Sequence, residues 1–230
     1  MAQARGKAQG GAAKCESVGG VELVRADGRL ALAGGGMELA LDFADDLPRL
    51  RRGAVERELL VRAARVRGVD HPLAVDATAG LGQDALLLAA AGFRVMLFER
   101  NPVMAALLRD ALERAAEHPA LADIVARMTL SEGDGIAGLA ALPEQPDVVY
   151  LDPMFPARRK SAAVKKKFQL LHHLERPCED ADDLLRAALA ARPRKVVVKR
   201  PVKGPHLADV KPSYSISGKA VRYDVIALPR

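Results

Sequence analysis

From Leu73 onward, short apolar runs alternate with glycine-marked turns and helix-patterned stretches, and this alternation restricts the possible folds more than any other feature of the chain. The runs are LAVD (73–76), RVMLF (94–98), ARMTL (126–130), VVYL (148–151) and KVVVK (195–199). Helical patterns lie between them, through residues 84–91, from Pro102 to Glu117, from Ile136 to Leu142 and through residues 180–191. Strands separated by helices are too far apart in sequence to pair as hairpins, so the order implies a mostly parallel sheet with helices on both faces. The final stretch, SYSISGKAVRYDVIAL (213–228), breaks at Gly218-Lys219 and is expected to add an antiparallel hairpin, completing a seven-stranded α/β sheet.

Residues 71–230 are therefore expected to form the main domain, with a small appendage before it. Residues 1–20 read as a flexible leader, because they lack the apolar core of a secretory signal. Residues 21–43 alternate apolar and polar side chains and break at Asp27-Gly28 and at Gly34-Gly35-Gly36, which predicts a short antiparallel meander. Residues 45–67 place Leu47, Leu50, Val55, Leu59 and Leu60 among seven arginines, a basic helical segment that Pro48 and Gly53 interrupt. Half of the 230 residues are hydrophobic, enough for a core without staples. Cys15 and Cys178 are isolated from each other, and His172 and His173 would point about 100° apart on a helix, so neither a disulfide framework nor a metal site is expected. With no apolar run of about 18 residues, the expectation is a cytoplasmic protein without a membrane partner. The net charge of +6 allows an anionic partner, and the oligomeric state is not legible.

In an open parallel sheet, ligands bind beyond the carboxyl ends of the strands. Acids stand at or just after four of these ends: Asp76, Glu99, Asp134 and Asp152. After the first strand, DATAGLGQD (76–84) offers Gly80 and Gly82 for a sharp turn and close backbone approach to a ligand. GLGQDA (80–85) also fits the dinucleotide fingerprint, and Glu99 would accept hydrogen bonds from an adenosine ribose in either NAD or S-adenosylmethionine. Asp76, Asp84, Asp134 and Asp152 would repel a pyrophosphate and attract a sulfonium or ammonium, at about 3 kcal/mol per unit pair before desolvation. The acids favour S-adenosylmethionine, although Asp84 also suits a helix first turn and Asp134 a loop.

The segment VVYLDPMFPARRK (148–160) supplies the parts for methylating an exocyclic amine. The lone pair of such an amine is delocalised into the base, and acceptors for its two protons make it more nearly tetrahedral. The Asp152 carboxylate and the Pro153 carbonyl are the candidate acceptors, and Phe155 is the candidate stacking surface. Arg158, Arg159, Lys160, Lys165, Lys166 and Lys167 follow with no acid between Pro153 and Leu174, a pattern suited to an RNA backbone, which Lys199 and Arg200 would extend. A decayed, non-catalytic RNA-binding module and an NAD-dependent oxidoreductase are the competing readings. The first leaves the strand-end acids without a purpose, and the second leaves DPMF and the basic run without one.

DATAGLG (76–82), FERNP (98–102), VVYLDPMFP (148–156), KSAAVKKK (160–167) and VVVKRP (196–201) together resemble the ribosomal RNA small subunit methyltransferase J family. The resemblance covers roughly residues 73–228 and implies a class I, Rossmann-like methyltransferase fold that methylates N2 of a guanine in 16S rRNA, free or in the small ribosomal subunit. It implies cofactor contacts at Gln83, Asp84, Glu99, Arg100, Asp134, Gly135 and Asp152. Gln83 stands where the family would carry arginine. DPMF (152–155) also resembles the wider signature of amino-group methyltransferases, including those acting on DNA adenine.

Overall fold

The structure, a computed structural model, describes residues 15–18, 20–153, 170 and 180–229. Its main sheet is built from β5 (Leu73–Asp76), β6 (Arg94–Glu99), β7 (Met128–Glu132), β8 (Val148–Leu151), β9 (Lys195–Pro201), β10 (Tyr214–Ser217) and β11 (Val221–Ala227). The spatial order is β10-β11-β9-β8-β5-β6-β7. β5 through β9 pair in parallel, and β11 pairs antiparallel with both β9 and β10, as the terminal hairpin requires. Every residue of β5 and β8 is buried. These central strands lie between two apolar layers, which explains why they read as continuous hydrophobic runs.

One layer contains α2 (Leu59–Ala64), α3 (Gln83–Ala90) and part of α4 (Pro102–Ala116). The opposite layer contains α6 (Gly135–Ala140) and α7 (Ala181–Ala190). The short α5 (Ala122–Val125) leads into β7, which lies two residues beyond the expected ARMTL strand, at 128–132. Helix α6 begins at Gly135 because Asp134 caps it, accepting from Ile136 N and Ala137 N at 2.9 and 3.1 Å.

The N-terminal meander is a four-stranded sheet: β1 (Cys15–Val18), β2 (Val21–Ala26), β3 (Arg29–Gly34) and β4 (Met37–Ala40). β1 falls inside the stretch read as a leader and pairs with β2. The meander packs Val21, Leu23, Leu32 and Leu39 onto Val103, Met104 and Leu107 of α4. Buried Asp110 on α4 fastens the contact, accepting from Leu30 N at 3.1 Å and Arg114 Nε at 2.9 Å. The arginine-rich segment then forms α1 (Leu47–Leu50) and α2, separated by Gly53 as the sequence suggests.

Candidate active site

Strand order reverses between β5 and β8, so the segments leaving Asp76 and Leu151 flank the crevice where such sheets bind ligands. The turn after β5 needs its glycines. Gly80 and Gly82 have φ of 53° and 72°, and a Cβ on Gly82 would sit 2.6 Å from Leu108 Cδ1. Glu99, at the end of β6, accepts from Gly80 N at 2.7 Å and Asn101 N at 2.8 Å. Burial pushes its carboxyl up, against the downward pull of those two donors. Each carboxylate oxygen has a second lone pair, so Glu99 holds the turn and can still accept from a ligand hydroxyl.

Asp76 is 1% exposed, and its carboxyl is pushed up to about 8, chiefly by burial, although Thr78 N donates to it at 3.1 Å. Thr78 Oγ1 accepts from Asp152 N at 2.7 Å and so joins the two segments that flank the crevice. Beside them, Lys199 Nζ lies 2.7 Å from Asp84 Oδ2 and 2.9 Å from Asp152 Oδ2. Tyr150 OH donates to the same Asp84 oxygen at 2.6 Å. Burial lowers the Lys199 ammonium, but the facing Asp152 and Asp84 carboxylates outweigh it and hold the group above its ordinary value. Burial raises Asp152, while Lys199 draws it back down. The expected ring of bare acids is therefore partly neutralised from within. Asp76, pushed up to about 8, keeps its proton over much of the pH range, and Lys199 balances one of the two charges on Asp84 and Asp152.

The structure brings Asp76, Gly80, Gly82, Asp84, Glu99, Asp152 and Pro153 to this end of the sheet. Asp134 and Gly135 join through α6, where a Cβ on Gly135 would lie 2.2 Å from Ala77 O. Gln83 and Arg100 direct their side chains elsewhere. Gln83 Nε2 donates to Asp46 Oδ2 at 2.9 Å, and Arg100 pairs with Asp180 at 3.0 Å.

Lys199 and Arg200 require correction as an RNA-facing pair, because strand alternation sends them to opposite faces. Lys199 shares the side of Val197 and turns into the carboxylates, whereas Arg200 is 2% exposed and donates to Pro205 O at 2.8 Å. Phe155, Arg158, Arg159, Lys160, Lys165, Lys166, Lys167, His172, His173 and Cys178 lie outside the described residues. Sequence reasoning missed Thr78 and Tyr150. A tyrosine in a fully buried strand signals a hydroxyl that must find a partner. Thr78 carried no comparable signal.

Among the described residues, no group of three or more His, Cys, Asp or Glu side chains could hold a metal ion, and no helix is long and apolar enough to cross a membrane. Residues 17–227 match the protein family described as "Putative SAM-dependent methyltransferase". The chain is 46% identical over 212 residues to the ribosomal RNA small subunit methyltransferase J of Thioalkalivibrio sulfidiphilus, covering 85% of this chain and 83% of that one. The protein of the same name from Neisseria meningitidis is 43% identical over 199 residues, covering 85% and 79%. A crystal structure of a SAM-dependent methyltransferase from Neisseria gonorrhoeae superposes with a TM-score of 0.70 at 35% identity, covering 86% of this chain and 79% of that one.

Proposed function

This chain belongs to the ribosomal RNA small subunit methyltransferase J family, and on that premise we propose that it methylates the exocyclic N2 amine of a guanine in 16S rRNA, free or within the small ribosomal subunit. S-adenosylmethionine is its cofactor. The site's residues fit that group. Glu99 can take ribose hydroxyls, Gly80 and Gly82 expose backbone, and Asp76 and Asp84 offer carboxyl groups to a cationic centre rather than to a phosphate. A protonated Asp76 near pH 8 is suited to regaining its charge when a cation arrives. When bound, the cofactor supplies an electrophilic methyl group.

The observation that carries the reading is the placement of Asp152 and Pro153 immediately after β8, with Asp152 N fixed by Thr78 Oγ1 at 2.7 Å. Lys199 occupies Asp152 Oδ2, and Oδ1 has no partner among the described residues. We assign Oδ1 and the Pro153 carbonyl to accept the two amine protons, and Lys199 to position and keep ionised the carboxylate that does so. Phe155 is assigned to base stacking, and the basic residues from Arg158 to Lys167 to the RNA backbone. A cytoplasmic location follows from an rRNA substrate. The test is methyl transfer to small-subunit rRNA by wild type and Asp152→Ala, with cofactor affinity measured alongside. Loss of transfer with cofactor binding retained supports the assignment, and undiminished transfer removes it.

A further inference from the structure

The opposite end of the sheet holds a feature that the methyl-transfer site does not use. Arg62, Arg65, Val66, Arg67, Arg194 and Lys195 line a cavity of about 430 Å³ beside the start of β9. Arg194 is paired with Asp147 at 3.0 Å. Lys195 Nζ donates to the carbonyls of Arg65 and Ala63 at 2.6 and 3.3 Å, contacts that leave its charge unbalanced. Exposed Arg62, Arg65 and Arg67 form no ion pair among the described residues. Of the five cations in the lining, only Arg194 has a carboxylate partner among the described residues, so four converge on the cavity uncompensated.

The charge also continues beyond the cavity. Residues 49–67 carry seven arginines against Glu56 and Glu58, and Glu58 is already taken by Arg49 at 3.1 Å. Helix α2 packs beside β9 and β11. Leu59 at its start meets Gly218 in the hairpin turn, near the active-site end, and Ala63 near its end meets Lys195. Lys195 and Lys199 are four residues apart on β9, about 13 Å along the strand. A positive track that leads from the active-site end to a cavity at the far end suits a chain of phosphates better than a single anion.

We infer that the Arg62–Arg65–Arg67 cavity is a second phosphate-contact surface for RNA, remote from the base that reacts. The inference rests on the reading of this chain as an rRNA methyltransferase. The test is a salt series of small-subunit rRNA binding for wild type and for the triple variant Arg62→Gln, Arg65→Gln, Arg67→Gln, with cofactor affinity as the control for folding. The triple variant is expected to bind RNA at least tenfold more weakly at moderate salt. Its slope of log affinity against log salt should be shallower by about 2, as for three lost phosphate contacts, with cofactor affinity unchanged. The corresponding triple lysine variant should restore the slope, because lysine keeps the point charge. If wild type methylates rRNA and the glutamine variant matches its affinity and slope, this surface is wrong and the functional reading stands. A loss that lysine does not restore also overturns it. If wild type neither binds nor methylates rRNA, the functional reading fails and takes the surface with it.

Discussion

Lys199 Nζ stands 2.9 Å from Asp152 Oδ2, although Lys199 lies within β9 and Asp152 just after β8. That ion pair changes what the acidic crevice can do, since it fixes the proposed amine acceptor and pulls its carboxyl down against the burial that raises it. Replacing Lys199 with Met leaves Asp84 and Asp152 facing each other without a cation. A fully buried broken pair costs about 3–5 kcal/mol, and the partial exposure of this one reduces the expected loss to about 1–3 kcal/mol in denaturant unfolding. Lys199 also lowers the Asp152 carboxyl, so its removal should move the acid limb of the pH–rate profile to higher pH, and Lys199→Arg should restore it. An unmoved limb would mean that Asp152 ionisation does not govern the rate.

Asp76 makes stability depend on pH with a definite sign. Its carboxyl titrates near 3.8 in an ordinary setting and near 8 in the folded chain. Between those values the folded state holds a proton that the unfolded state has lost, so stability falls as pH rises through the window and levels off above it. Asp76→Asn cannot ionise and its amide oxygen can still accept from Thr78 N. Thermal unfolding between roughly pH 5 and 8 should show wild type declining relative to the variant, by at most about 1.4 kcal/mol per pH unit. Parallel curves would place the Asp76 proton elsewhere.

Gly135→Ala would drive a Cβ to 2.2 Å from Ala77 O, a backbone atom with little room to retreat. The expected result is a loss of about 1–3 kcal/mol, typical of overpacking, together with weaker cofactor binding as the turn after β5 is displaced. Unfolding and calorimetric titration measure the two effects. Full cofactor affinity in a stable variant would show that this close approach is dispensable.

Gln83 serves as a contrast. Its amide reaches Asp46 in the segment before α1, so Gln83→Ala should cost about 0.5–1.5 kcal/mol of stability and change cofactor affinity by less than about threefold. A large loss of affinity with stability intact would return Gln83 to the cofactor site.

Much of this architecture was legible because its signals are local. Buried parallel strands read as VVYL and KVVVK, and the glycine turn and strand-end acids follow them directly in sequence. What escaped depends on residues far apart in the chain. Lys199 and Asp84 are separated by 115 positions, and nothing in KVVVKRP reveals which side of β9 faces carboxylates. The basic pair Lys199-Arg200 therefore looked like one charged surface, although one member neutralises the crevice and the other is buried on the opposite face. The same limit hid the packing of β2, β3 and β4 on α4, since Asp110 is 80 residues from its partner Leu30.

The most direct measurement of the central claim is nucleoside analysis of 16S rRNA from small subunits lacking this modification, after incubation with the protein and S-adenosylmethionine carrying a labelled methyl group. The account predicts label in N2-methylguanosine with wild type and none with Asp152→Ala. Label on an adenine, or no label in rRNA from a preparation that binds the cofactor, would contradict it.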